Sequence, residues 1–315
     1  MPQIPVDIRN FPNASGVQNG NRHIDISWQE LIWAALSVGK GSLAHMQQHG
    51  QYSKFEMTYR AAVIYSNLLE SGAGFFDRTL VYNGLDPSEK SAISYAVGMA
   101  VSKAFVSKEL NVPWLMHVDV YRQAFNLNIL PTGQRPDLFG EDLNNRWVVI
   151  ESKGRTNGHD PDALNKAKTQ ASQISAIGGI APYLSAGIVV SFVKNRMSLI
   201  ADDPPVGESD TKYELPIERR SFRAQYYEPF RAILRESGTE SEEFNGRRVR
   251  VTRLDSVDLH VGLEEAAILD ELRPAVDSID DANRSAFLGT DGLYVRLGPS
   301  WRDFEMRREP QSRGT

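Results

Sequence analysis

The chain contains no cysteine, which excludes disulfides and thiolate metal sites. It has no run of about 18 apolar residues, so no membrane-spanning helix is expected. The opening stretch MPQIPVDIRNFPNASG lacks a basic segment followed by an apolar one. No secretion signal is therefore expected, and a cytoplasmic setting is the default. Charge of one sign is not in large excess: the net charge is −5 over 315 residues. A protein that coats nucleic acid needs extended positive charge, which argues against that role but leaves room for one basic cleft. There is no internal repeat and no low-complexity tract. Two site patterns are missing as well. LSVGKGS (36–42) lacks the first glycine of a phosphate loop, and Gly41 stands where Ser or Thr would hold Mg²⁺. HMQQH sets His45 and His49 four residues apart but lacks a glutamate between them, so two solvated or capping histidines are the plainer reading.

What is present is ordinary for a globular chain: 41% hydrophobic and 24% charged residues. The length suits two domains, or one core with large additions. Residues 1–26 read as irregular. Ser27 is an N-cap for a helix through WQELIWAALSVG. A second helix is expected over 54–70, from the spacing of Phe55, Tyr59, Ala62, Val63 and Leu69. A long helix is expected over 88–110, capped by Asp86 or Ser88 with Pro87 at its first turn. Ala92, Ala96, Ala100 and Ala104 recur along it and would let it lie close to a neighbour. Strands are expected in WLMHVDVYRQAF, RPDLFGED and RWVVIESK, with GEDLNNR as a turn. Asp160 and Pro161 open a helix expected to run through 177, and SAGIVVSFV follows as a strand. Beyond a linker at 202–211 come a helix over 221–235, a strand in RRVRVTRL, a helix over 263–272 and a strand in GLYVRL. The expected division is a helical region 1–85, an α/β core 86–201 and an α+β region 202–315.

One strand ends unusually. In RWVVIESKGR (146–155), four apolar residues run into Glu151, Ser152 and Lys153. Side chains alternate along a strand, so Trp147, Val149, Glu151 and Lys153 share one face and Val148, Ile150 and Ser152 the other. Both faces begin apolar, as in a strand covered on both sides. A carboxylate and an amine ~7 Å apart along the strand then emerge at its end. If GEDLNNR closes a hairpin, Asp137 returns beside Glu151. Two carboxylates and a backbone carbonyl near Ser152 are hard oxygen donors of the kind Mg²⁺ or Mn²⁺ takes, with positions left for water. Lys153 would stand beside such a water or beside charge developing at phosphorus.

Pro136-Asp137 followed by Glu151-Ser152-Lys153 resembles the PD-(D/E)xK, restriction-endonuclease-like nuclease superfamily, and the element order over residues 88–200 is similar to that family's αβββαβ core. The resemblance implies Mg²⁺-dependent (or Mn²⁺-dependent) phosphodiester hydrolysis. Asp137, Glu151 and Ser152 would be metal ligands, and Asp137, Glu151 and Lys153 the catalytic set. Many members carry a further acid on the helix before the sheet. Glu89 is the first choice here, with Glu109 and Glu56 as alternatives. The RecB-type branch adds Gln-x-x-x-Tyr, but Gln170 is followed by Ile174 and Gln173 by Ile177, so that signature is absent. Lys166, Gln170 and Gln173 would still share a helix face. Together with Arg155 and Lys168 they are the expected nucleic-acid contacts, to DNA before RNA.

Other readings stand beside this one. His117 and Asp119 could form an acid–base pair or a plain polar patch. Arg219, Arg220, Arg223, Arg231, Arg235, Arg247, Arg248, Arg250 and Arg253, with Tyr226 and Tyr227, could bind phosphates and stack bases. Interleaved glutamates favour a solvated face instead. The setting implied by analogy is bacterial defence, restriction or repair. No motor is encoded, so a separate motor or sensor subunit could be a partner, and a homodimer would suit paired cuts. The alternative function is a non-catalytic nuclease-fold module that binds nucleic acid or a partner; hydrolysis of another phosphate ester is a third.

Overall fold

Helix starts follow the capping residues. Ser27 accepts the N–H of Glu30 at 3.0 Å, and the Glu30 carboxylate takes the Ser27 N–H at 3.4 Å, which opens α1 (Trp28–Ser37). After α2 (Gln51–Asn67) and the short α3 (Leu80–Gly84), Asp86 caps α4 (Pro87–Leu110) by accepting from Ser88 and Glu89. α4 stops at Asn111, which turns left-handed at φ 55°. One turn, α5 (Val118–Tyr121), precedes α6 (Pro161–Ala171), whose cap Asp160 accepts from Ala163 at 3.1 Å. α7 (Arg219–Glu236) and α8 (Glu265–Ile268) follow. The structure, a computed structural model, describes residues 1–38, 51–122, 124–125, 127, 135–158, 160–203, 212–236, 238–268 and 285–301. His45, His49 and most of LSVGKGS lie outside them.

The protein is a mixed α/β molecule built on a large mixed sheet. Its strands are β1 (Gln3–Arg9), β2 (Gly20–Asp25), β3 (Leu68–Glu70), β4 (Phe76–Arg78), β5 (Trp114–His117), β6 (Leu138–Glu141), β7 (Trp147–Gly154), β9 (Leu184–Val193) and β10 (Arg196–Asp202). The order is β2-β1-β10-β9-β7-β6-β5, with the β3–β4 hairpin joined to β10 through β4. β7 pairs with β9 in parallel, and so does β1 with β10; the other pairs are antiparallel. β8 (Ile174–Ile177) stands apart, paired with β11 (Tyr213–Leu215). A second, antiparallel sheet runs β12 (Glu240–Phe244), β13 (Arg247–Leu254), β14 (Leu259–Glu264), β16 (Leu293–Leu297), β15 (Ala286–Leu288).

β7 is covered on both faces, as its apolar run requires. On the even face lies α4, with Ser102 Oγ 2.8 Å from Ser152 Oγ. The approach is close because two glycines meet there: a Cβ on Gly154 would fall 1.8 Å from the Ser94 carbonyl oxygen, and one on Gly98 would fall 2.9 Å from the Gly154 Cα. On the odd face, Phe222 of α7 packs edge-on to Trp147 at 5.2 Å, and Ala163 and Leu164 of α6 pack on Val189 of β9. One hydrophobic core runs from Ile4 to Trp301, across all three expected segments.

Several elements differ from the sequence reading. Residues 1–26 contain β1 and β2. β1 alternates buried and part-buried positions through Ile4, Val6 and Ile8, and it owes its place to β10, which is remote in sequence. Segment 1–85 is therefore not purely helical. α2 ends at Asn67, and residues 68–70 turn into β3. The strand from Trp114 stops at His117, where α5 begins. α6 ends at Ala171 and residues 174–177 form β8, because their apolar side chains pair with β11 rather than extend the helix. Residues 259–264 are strand and only 265–268 helix; the remainder of the expected 263–272 helix lies outside the described residues. The contact of α4 with β7 uses Ser94, Gly98 and Ser102, two positions out of step with the alanines, and Ala92 is exposed.

Candidate active site

The β6–β7 hairpin brings together the residues that the sequence pairs. Its turn is fixed by Asp142, which accepts from Asn144 at 2.9 Å and Arg146 at 2.7 Å. The register sets Leu138 opposite Ile150, so Asp137 comes next to Glu151. The Asp137 N–H donates to Glu151 Oε2 at 2.7 Å, and the Ser152 N–H donates to Asp137 Oδ2 at 3.2 Å. Lys153 Nζ donates to Glu151 Oε1. Glu151 is fully buried, and Asp137 and Lys153 are half-buried. A cleft of about 330 Å³ is lined by Asp137, Ser152 and Lys153 together with Ser91, Tyr95, Gly154, Arg155 and Thr156, and buried Glu151 is not among its walls.

Two buried acids side by side resist ionisation. Burial, followed by the Asp137 charge, pushes the Glu151 carboxyl up to about 8, against the pull of Lys153. Burial also raises Asp137, while His117 and Lys153 pull it down. Such a pair holds a proton near neutral pH that a cation would displace. Among the described residues no group of three His, Cys, Asp or Glu side chains gathers to hold a metal. The protein donors on hand are the two carboxylates and the main chain at Ser152, whose own hydroxyl points to Ser102 on the opposite face.

The third acid nominated from the sequence is elsewhere. Glu89 is exposed at the start of α4, where its carboxylate accepts the Asp86 N–H at 3.2 Å as the second half of a capping box. It serves the helix start, not the acid pair. Glu109 pairs with Arg22, and Glu56 with Arg60 at 2.8 Å.

The expected nucleic-acid contacts divide. Arg155 walls the cleft and holds Asp160 at 3.2 Å. Lys166 is exposed on α6. Lys168 is tied to buried Asp202 at 3.1 Å, and Gln170 donates to the Arg135 carbonyl at 3.2 Å. Gln173 does not share a helix face with Lys166 and Gln170. It follows the end of α6 and is buried, because the chain turns there into β8.

His117 and Asp119 are not an acid–base pair. The Asp119 carboxylate binds Arg135 at 2.8 Å, and the link to His117 is the Asp119 N–H donating to Nδ1 at 3.2 Å. An accepting Nδ1 leaves the proton of the neutral ring on Nε2, which lies 3.1 Å from the Tyr95 hydroxyl. Tyr95 is the residue that sequence reasoning missed. It sits on α4, far from Asp137 in sequence, and nothing local marks it.

Part of the arginine–tyrosine group is engaged within the fold, while Arg220, Arg248, Arg250 and Arg253 are exposed. Arg219 and Arg223 each reach buried Glu141 at 2.7 Å, and Arg247 pairs with Glu264. Tyr226 and Tyr227 are buried; their hydroxyls donate to Asp291 Oδ2 and to the Asp291 carbonyl, each at 2.6 Å. Neither ring is open to a base.

No protein-family model, curated protein or solved structure matches the chain. No helix among the described residues is long and apolar enough to cross a membrane. What the chain does therefore rests on the geometry of its own residues.

Proposed function

We propose that the chain is a divalent-metal-dependent nuclease of the restriction-endonuclease-like kind, acting on DNA. The observation that carries this reading is the linked pair Asp137–Glu151 at the open end of β6 and β7, with the Lys153 ammonium on the same carboxylate. The element order supports it: α4, then the antiparallel run β5-β6-β7, then α6, then β9 parallel to β7. With α5 and β8 set aside, this order resembles the αβββαβ arrangement expected of that family.

The donor set fits a hard divalent cation. Carboxylate oxygens suit Mg²⁺ or Mn²⁺, and both acids hold their protons more tightly than usual, so a cation would stabilise the ionised pair. Asp137 and Glu151 would hold the ion, aided by the main chain at Ser152. When bound, the ion supplies Lewis acidity toward a phosphoryl oxygen and lowers the pKa of a coordinated water. Lys153 places a positive charge beside that point, where it opposes charge build-up on phosphorus and orients the attacking water. Arg155, on the cleft wall, and Lys166, exposed on α6, would anchor flanking phosphates. A role in defence, restriction or repair, and a separate motor or sensor subunit or a second copy as partner, are part of the same proposal.

The test is Mn²⁺ titration by calorimetry together with nicking of supercoiled plasmid. Wild type should bind Mn²⁺ and nick, and Asp137→Ala should do neither. Nicking that survives Lys153→Ala at the wild-type rate would remove the assigned chemistry. Nucleic-acid binding without cleavage under any divalent ion would favour the non-catalytic module.

A further inference from the structure

A second cavity lies on the other side of Tyr95. Its volume is about 270 Å³, and its walls are drawn from α1, α2 and α4. Val63, Met99 and Ala96 line it with apolar surface, Tyr59 and Tyr95 add aromatic rings, and Glu56 and Arg60 add polar groups. Tyr95 borders both this cavity and the acid cleft, and His117 binds its hydroxyl from the cavity side. We propose that this cavity takes one unstacked nucleobase of a single strand whose phosphodiester lies at Asp137 and Glu151, so that the substrate class is single-stranded or locally opened DNA. The inference rests on the nuclease reading above.

Four observations support it. First, the two spaces share one residue as their wall, so a strand with its phosphate on the acids has the cavity next to it. Second, the rings are available: Tyr59 is 62% and Tyr95 47% exposed, whereas most large aromatics of the fold, Phe55 apart, are buried or half-buried. Stacking on such rings is a sequence-tolerant way to hold a base. Third, the ion pair at the edge, Arg60 to Glu56 at 2.8 Å, offers both donors and an acceptor. A base presents the matching mixture on its Watson–Crick edge only when it is unpaired. Fourth, the volume is just below the usual ~300–1,000 Å³ of pockets for drug-sized ligands, which suits one ring system and not a stacked duplex. The Tyr95 hydroxyl is pushed up to about 12 by burial and by the charges of Asp137 and Glu151, with Arg60 opposing. It stays a neutral donor between the two spaces.

The experiment uses the full chain, with Ca²⁺ in place of Mg²⁺, and a short single-stranded oligodeoxynucleotide carrying 2-aminopurine. Its duplex form serves as the comparison. Single strand should bind at least ten-fold tighter than duplex, with a change in 2-aminopurine fluorescence. Tyr59→Ala should weaken binding by about ten-fold, within the ~1–3 kcal/mol of one stacked base. Ala96→Phe, which fills the cavity, should abolish the fluorescence change while leaving Mn²⁺ affinity intact. Unchanged oligonucleotide affinity in Ala96→Phe overturns the inference; if its melting temperature also rises, the space belongs to the protein's own packing. The two readings fail separately. Absent Mn²⁺ binding and nicking in wild type, with cavity-dependent capture retained, removes the nuclease and leaves the base site. Nicking that is indifferent to both cavity variants removes the base site alone.

Discussion

Asp137 and Glu151 hold each other through the main chain as well as carboxyl to carboxyl: the Asp137 N–H donates to Glu151, and the N–H following Glu151 donates back to Asp137. Both carboxylates are thus fixed in place by the hairpin register before any ligand arrives. The cost is two acids held close together with little water, and several measurable consequences arise from that.

The metal-free protein should lose stability as pH rises. Glu151 titrates near 4.5 in an unfolded chain and near 8 in the fold. Between these values the folded state binds more protons, so its advantage is complete below about pH 4.5 and is lost as pH climbs through 8. Melting temperatures in EDTA should fall across this window more steeply for wild type than for Glu151→Gln. Mg²⁺ should restore stability most at the alkaline end.

Glu151→Gln should separate stability from activity. An amide mimics the protonated acid and removes the cost of ionising it. Nicking should drop at least 100-fold, about 3 kcal/mol in barrier terms, while the metal-free melting temperature at pH 9 rises or holds. A large drop in melting temperature would contradict the buried-proton account.

Gly154→Ala should be severe for a single methyl group. Its Cβ would land on the Ser94 carbonyl at 1.8 Å, and main chain cannot move aside as a flexible side chain can. We expect a loss of about 3 kcal/mol, the upper end for overpacking, read as a lower urea midpoint. Metal affinity should fall as well, because Gly154 continues the strand that carries Glu151.

The second sheet is fastened to α1, α4 and α7 by a buried polar network, and Asp291→Ala should loosen it. Asp291 accepts from Tyr226 at 2.6 Å, Trp33 at 3.1 Å and the Leu293 N–H at 3.0 Å, and Tyr226 also meets Lys103 Nζ at 3.3 Å. Removing the carboxylate leaves a buried ammonium facing a lost charge, which typically costs ~3–5 kcal/mol. Combining it with Lys103→Met should recover part of that loss in a double-mutant cycle followed by chemical denaturation.

The parts legible in the sequence were those set by neighbours in the chain. Ser27 and Asp160 marked helix starts, and Asp86 or Ser88 a third that the structure gives to Asp86, because a cap is a local hydrogen bond. The acid pair was legible because a short turn fixes a hairpin register, and a register decides which side chains meet. The parts missed were set at a distance. β1 alternates correctly, yet Pro2, Pro5 and the asparagines around it disguised the pattern, and its partner β10 lies far along the chain. Residues 174–177 looked like more helix until β11 supplied a partner. Tyr95 reaches the cleft only because two glycines let α4 settle onto β7.

The pairing of β1 with β10 also bears on synthesis. Val6 lies opposite Leu199, so an interior strand of the large sheet waits for a mate made nearly two hundred residues later. At ~5–20 residues per second, that wait is roughly 10–40 s on the ribosome. Through it, β2 can pair with one edge of β1, while the edge that β10 will take leaves the exit tunnel bare, open to chaperones and to neighbouring nascent chains.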